Sequence, residues 1–233
     1  MRPPVEGLYG GRRRFLQAAL QAAAALGALA SASGLRAQET AASGKIRLLA
    51  LGDSLTAGYM LPQAQAFPAV LEAALRGEGF DVEIVNAGVS GDTASGGLAR
   101  LDWALGERFD GAIVELGAND MLRGIDPAVT RDALAQILDK LRAKNVKVLL
   151  AGMLASGNLD DAYRARFNAI YPELAARHGA LLYPFFLEGV SGRPALTLAD
   201  GLHPNAAGVE TIVRGMLPQA RALMREIGAA APG

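Results

Sequence analysis

The chain contains no cysteine. That excludes disulfide bonds, thiolate metal sites, a cysteine nucleophile and a lipid-modified cysteine anchor. Charge of neither sign dominates: 23 Lys and Arg residues face 23 Asp and Glu residues. Without a basic surplus, nucleic acid is not an expected partner. Neither G-x-G-x-x-G after the first apolar run nor G-x-x-x-x-G-K occurs, so no phosphate-cradling loop is expected. Histidine is scarce as well, with only two in 233 residues. Any chemistry that needs an imidazole must therefore use His178 or His203.

What is present suits one globular domain over residues 45–227, with 51% hydrophobic and 20% charged residues in the chain. The first 37 residues read differently. Arg12, Arg13 and Arg14 are followed by a stretch from Phe15 to Leu35 without a charge, rich in Ala and Gly. Small residues such as Ala30 and Ala32 follow. This is the layout of an export signal, basic then apolar then small. Arg12-Arg13-Arg14-Phe15-Leu16 resembles a twin-arginine signal, so the twin-arginine export machinery is an expected partner and the periplasm or exterior the expected location. A membrane anchor is the alternative, but Ala, Gly, Ser and Gln are weakly apolar for a span. No stable anchor is expected. Removing residues 1–37 takes away five arginines and one glutamate and leaves a net charge of −4.

From Lys45 onward, apolar runs alternate with amphipathic stretches. Strands are expected at 46–51, 81–85, 111–116, 146–153 and within "ALLYPF". Helices are expected between them: one after Phe67, one ending near Phe109, one opened by Asp126-Pro127, one over about 160–178. The last is the clearest, with Val209, Ile212, Val213, Met216, Leu217, Ala220 and Leu223 at the 3.6-residue period. Residues 228–233 read as a loose tail. Such alternation implies an α/β fold: a three-layer αβα sandwich around a flavodoxin-like five-stranded parallel sheet, order 2-1-3-4-5.

In such sheets ligands bind outside the carboxyl ends of the strands. Ser54 follows the first strand, Gly91 the second, Asn119 the third, and Asp200 and His203 the fifth. A serine nucleophile needs a base. His178 ends a helix before Gly179, where an imidazole commonly interacts with the helix C-terminus. His203 is the better base, and Asp200 can hold one of its ring nitrogens, the division of roles in a serine triad. Donors for a developing oxyanion are the N–H of Ser54, the N–H of Gly91 and the side-chain amide of Asn119. Each element has an ordinary reading too. Gly-Asp-Ser can be a turn with a helix cap, Gly91 can serve its turn, and Asn119 can cap a helix. Asp-x-x-His can be two metal ligands, but no further ligands stand at matching spacing, and no metal is expected. Glu115 and Asn86 read as hydrogen-bonded structural groups.

The ordered set Ser54, Gly91, Asn119 and His203 resembles the SGNH (GDSL-type) hydrolases. "LGDSLTAGY", "VNAGVSGDT", "GLARL", "VELGAND", "FNAIYPELA" and "DGLHPN" are similar to the bacterial secreted thioesterase I, lysophospholipase and arylesterase branch. The resemblance implies Ser54 as nucleophile, His203 as base and Asp200 as its orienting carboxylate. It places the Ser54 amide, Gly91 and Asn119 in the oxyanion hole. Ala118 departs from an expected second glycine, and residues 153–161 are unlike the branch. The implied reaction is cofactor-free hydrolysis of acyl or aryl esters, thioesters or lysophospholipids, so the expected partner is a small-molecule ester or lipid. Met60, Leu61, Met121, Leu122, Ile125, Met153 and Leu154 are the expected acyl-binding residues. A carbohydrate O-deacetylase and a flavodoxin-like binding module without catalysis are the alternatives.

Overall fold

A computed structural model describes residues 45–229. The expected export signal, residues 1–37, lies outside them, as does the tail beyond Ala229. Five strands make one parallel sheet: β1 (Ile46–Gly52), β2 (Val82–Gly88), β3 (Gly111–Glu115), β4 (Lys147–Ala151) and β5 (Leu181–Tyr183). Their order is β2-β1-β3-β4-β5, the order the alternation predicts. Leu48, Leu49, Leu51, Ile113, Val114, Leu149 and Leu150 are all buried, with no polar alternation along their strands. That is the pattern of a sheet covered on both faces.

The helices are α1 (Ser54–Ala57), α2 (Phe67–Gly77), α3 (Ala94–Ala104), α4 (Ala118–Leu122), α5 (Pro127–Ala143), α6 (Asp161–Asn168), α7 (Ile170–His178) and α8 (Ala206–Ile227). Helices α2 and α8 pack together, as do α3, α5 and α7 on their own side. Phe67, Leu71 and Leu75 of α2 and Ile212, Met216 and Leu223 of α8 lie in the core. Asp126 caps α5 as expected, its carboxylate accepting from Ala128 N at 2.8 Å ahead of Pro127.

Several boundaries differ from the sequence expectation: β4 ends at Ala151 rather than 153, α3 ends at Ala104 rather than near Phe109, and two further differences have a clear cause. Strand β2 runs on to Gly88, through residues read as loop, because β1 offers ladder partners that far and pairs Gly52 with Gly88. The single helix expected over 160–178 is two helices that meet at Ala169. Pro172 has no N–H to give the carbonyl of Asn168, and its ring crowds that carbonyl.

The register decides where chemistry can sit. Gly52 pairs with Gly88 on one side and Glu115 on the other. Glu115 pairs with Ala151, and Ala151 with Tyr183. All five strands therefore finish level, and the segments that follow them leave from one edge.

Candidate active site

Strand β1 ends at Gly52 and the chain turns at once into α1. Asp53 is the N-cap, its Oδ1 accepting from Leu55 N at 2.9 Å. Ser54 is the first helical residue and is nearly buried. Its backbone N–H has no acceptor among the described residues, as expected in a first helical turn.

His203 arrives from the other end of the chain. Its loop is closed by the Thr197–Pro204 bridge and by Leu198 N donating to His203 O at 2.7 Å. Asn205 caps α8 by accepting from Gly208 N at 3.0 Å, and its amide ties the loop to Ala195 O at 3.0 Å. Asp200 folds the loop onto itself. Its Oδ1 accepts from Leu202 N at 2.9 Å and His203 N at 3.0 Å. Its Oδ2 lies 2.6 Å from His203 Nδ1, and His203 Nε2 lies 2.9 Å from Ser54 Oγ. The His203 backbone N–H, the imidazole and the Leu202 N–H together lower the Asp200 carboxyl to about 2. A carboxylate held ionised beside Nδ1 fixes the proton there and leaves Nε2 free to accept from the serine.

The donors for an anion converge on the same edge. Gly91 sits at the third position of a turn closed by Asp92 N donating to Val89 O at 3.1 Å. Its φ of +87° is one a side chain would strain. The Gly91 N–H has no acceptor among the described residues, while Arg123 donates to Gly91 O at 2.7 Å. Arg100 braces this loop from beneath, reaching Asp92 Oδ2 at 2.5 Å and Gly52 O at 2.9 Å. Asn119 lies in α4 and does not cap it; that position belongs to Gly117, at φ +117°. A Cβ on Gly117 would meet Tyr171 Oη at 2.1 Å. The Asn119 amide nitrogen donates to Asp53 Oδ2 at 2.9 Å and Asp92 O at 3.0 Å, so both its protons are engaged. Ala118 is helical with an ordinary φ and fits without strain where a second glycine was expected.

Beneath Ser54 lies a pair of carboxyls, Asp53 and Glu115; the sequence reading took Glu115 singly as a structural group and did not connect it to Asp53. Asp53 and Glu115 are both fully buried. Glu115 Oε2 accepts from Thr56 Oγ at 2.8 Å, while Oε1 has no partner among the described residues. Burial first, and the Asp53 carboxylate second, push the Glu115 carboxyl well above the usual range. Burial also raises Asp53, to about 6, against the opposing pull of its hydrogen bonds from Leu55 and others. Two like charges cannot both ionise in so dry a space. Of the two, Glu115 is the harder to ionise, and Asp53 is the one that holds Asn119.

A cavity of about 630 Å³ opens beside Ser54 and His203. Four of the expected acyl-binding residues line it: Met121, Leu122, Met153 and Leu154. Three do not. Met60 points to solvent, Leu61 packs on the core, and Ile125 is held in the α4–α5 turn by its N–H to Asp120 O at 2.9 Å. Apolar character alone did not separate them, because loop residues between a core and a cavity can turn to either. Phe185 and Leu187, after β5, also line it, as does Tyr59. His178 ends α7 next to a left-handed Gly179, as expected, but its ring nitrogens find no hydrogen-bond partner among the described residues. Burial lowers its pKa, and it lies outside the cavity beside Ser54. Asn86 is exposed and accepts from Gly88 N at 2.9 Å. Among the described residues no group of three or more His, Asp or Glu side chains is arranged to hold a metal ion. None of the described helices is long and apolar enough to cross a membrane.

The GDSL-like lipase/acylhydrolase family model matches residues 50–210, a span that contains every group of this site. The chain belongs to that family. Esterase TesA of Pseudomonas aeruginosa is 41% identical over 178 residues, covering 76% of this chain and 89% of that protein. The thioesterase 1/protease 1/lysophospholipase L1 of Escherichia coli K12 is 40% identical over 178 residues, 76% of this chain and 84% of that protein. The crystal structure of TesA superposes with a TM-score of 0.73 at 40% identity, over 76% of this chain and 99% of the other.

The carboxylate next to Asn119 offers a test of how the site is braced. Buried Asp120 accepts from Ala94 N and from Thr130 Oγ, both at 2.9 Å, and so ties α4 to α3 and α5. Asp120→Ala leaves those two buried donors unpaired and is expected to cost about 2–4 kcal/mol in urea denaturation. Asn86→Ala, at an exposed position, is expected to cost under about 0.5 kcal/mol.

Proposed function

We propose that this family member is an exported serine esterase that hydrolyses acyl or aryl esters, thioesters or lysophospholipids. The observation that carries the reading is the unbroken chain Asp200–His203–Ser54, 2.6 Å and 2.9 Å long in its two links, at the mouth of a largely apolar cavity. Ser54 Oγ attacks the carbonyl carbon as its proton passes to His203 Nε2. The carbonyl oxygen gains the charge and takes hydrogen bonds from the N–H groups of Ser54 and Gly91. Asn119 joins them by turning one amide proton from Asp92 O or Asp53. The intermediate collapses, the leaving oxygen or sulfur takes the proton from His203, and an acyl ester remains on Ser54. Water, deprotonated by His203, attacks that ester, and the acid leaves as Ser54 regains its proton.

Met121, Leu122, Met153, Leu154, Phe185 and Leu187 supply the apolar wall for the acyl or aryl group. The names of the relatives, an esterase and a thioesterase/lysophospholipase, agree with that substrate class. Residues 1–37 serve as a cleaved, twin-arginine type export signal and place the enzyme in the periplasm or outside the cell, while residues 45–227 form the hydrolase domain. Esters or acylated surface lipids are the substrates such a location supplies.

Ser54→Ala is expected to lower turnover of p-nitrophenyl acyl esters by about 10⁴-fold or more with the circular-dichroism spectrum unchanged. Full activity in that variant removes the nucleophile assignment. Asp200, held at about 2, stays ionised in mild acid. Asp200→Asn, which cannot hold the Nδ1 proton as a carboxylate does, is expected to lower turnover at pH 7 by about 10³-fold or more, and an unchanged rate contradicts the orienting role.

A further inference from the structure

The hydrogen bonds to His203 leave one motion of its ring unrestrained. One is made at each ring nitrogen. They hold the line between the nitrogens but do not stop the ring from rocking about that line. A contact on the ring face does. The Tyr59 ring lies on the His203 ring, with 4.4 Å between centroids and 35° between planes. That separation is at the short end of the range for paired rings.

The chain fixes this ring where it also fixes the serine. Helix α1 ends one turn after Ser54, and the N–H groups of both Gly58 and Tyr59 donate to Ser54 O, at 3.2 and 3.1 Å. Leu61 N then donates to Gly58 O at 2.9 Å and closes a turn across Tyr59 and Met60. Met60 holds a φ of +56°, unusual for a long side chain, and its side chain is 78% exposed, so no packing of its own explains the strain. The strained turn does have one evident result: it sets Tyr59 over the imidazole. Ser54 and Tyr59 thus sit on one rigid corner, and His203, 149 residues beyond the serine, enters between a hydroxyl and an aromatic face.

We propose that Tyr59 is a positioning residue for His203, its ring face stopping the imidazole from rocking and favouring the imidazolium formed during turnover. This rests on His203 acting as the base. The charged and titratable groups around the imidazole are Asp200 on its own loop, the buried Asp53 from the β1–α1 turn, and Tyr59 itself. Neither carboxylate touches the ring face. The contact is made by the π face of Tyr59.

The test uses the full-length mature chain with Tyr59→Phe and Tyr59→Leu, assayed on p-nitrophenyl acetate, whose short acyl group makes little use of the cavity. Tyr59→Leu is expected to lower kcat about ten-fold with KM changed by less than about two-fold, and Tyr59→Phe to stay within about two-fold of the parent. A leucine variant as fast as the parent overturns the proposal. A phenylalanine variant as slow as leucine overturns it too, because the hydroxyl then matters and the ring does not. The downfield proton resonance of His203 Nδ1–H gives a second reading that needs no turnover. It is expected to be sharp in the parent and Tyr59→Phe and exchange-broadened in Tyr59→Leu; equal line widths in all three overturn the proposal. Ser54→Ala that stays active would remove the proposed nucleophile, yet the resonance would still report whether Tyr59 holds the ring.

Discussion

The level finish of the five strands is the constraint on which the rest of the molecule depends. A parallel sheet in register from Gly88 through Gly52, Glu115 and Ala151 to Tyr183 sends every following segment off one edge. A slip of one residue in β1 against β3 would turn each side chain to the opposite face. It would also lift Ser54 away from the loops that carry Asn119 and His203. Close backbone approach at the strand ends fits only this register, because a Cβ on Gly52 would meet Glu115 O at 2.8 Å and one on Gly88 would meet Ala57 N at 2.3 Å.

The polar groups at the edge are connected more than they are exposed. Asp53 illustrates this. It caps α1 at Leu55, holds the Asn119 amide and lies against Glu115. One buried carboxyl thus links the segment bearing the serine to the segment bearing the side-chain donor. Arg100 and Asp120 do the same work at the next strand ends, tying the Gly91 loop to β1 and α4 to α3 and α5. Prearranged donors of this kind stabilise charge without reorganising when it appears. Asn119 is the exception, since both of its protons have partners and one must be released.

Much of this was legible in the sequence, for a physical reason in each case. Parallel strands buried on both faces read as continuous apolar runs, and the helices between them as 3.6-residue periods. The placement of Ser54, Gly91, Asn119, Asp200 and His203 at one edge was legible because each follows a strand. The Asp53–Glu115 pair was not, since a lone buried Glu in "GAIVEL" reads the same whether it is satisfied or coupled to a partner 62 residues away. The break at Ala169 did have a signal, Pro172, but the apolar period on either side of it masked the interruption. Met60, Leu61 and Ile125 could not be told from Met121 and Leu122, because the direction of a loop side chain depends on turns closed by backbone bonds. The positive φ of Met60 is one such turn, and nothing in the residue type announces it.

Ser54 is proposed to be made nucleophilic by His203. The most direct measurement of this is the rate and position of modification by a fluorophosphonate, mapped by mass spectrometry in the parent chain and in His203→Ala. A single adduct on Ser54 is expected, formed about 10³-fold or more slowly once the imidazole is removed. An adduct elsewhere, no adduct at all, or equal rates with and without His203 would contradict it.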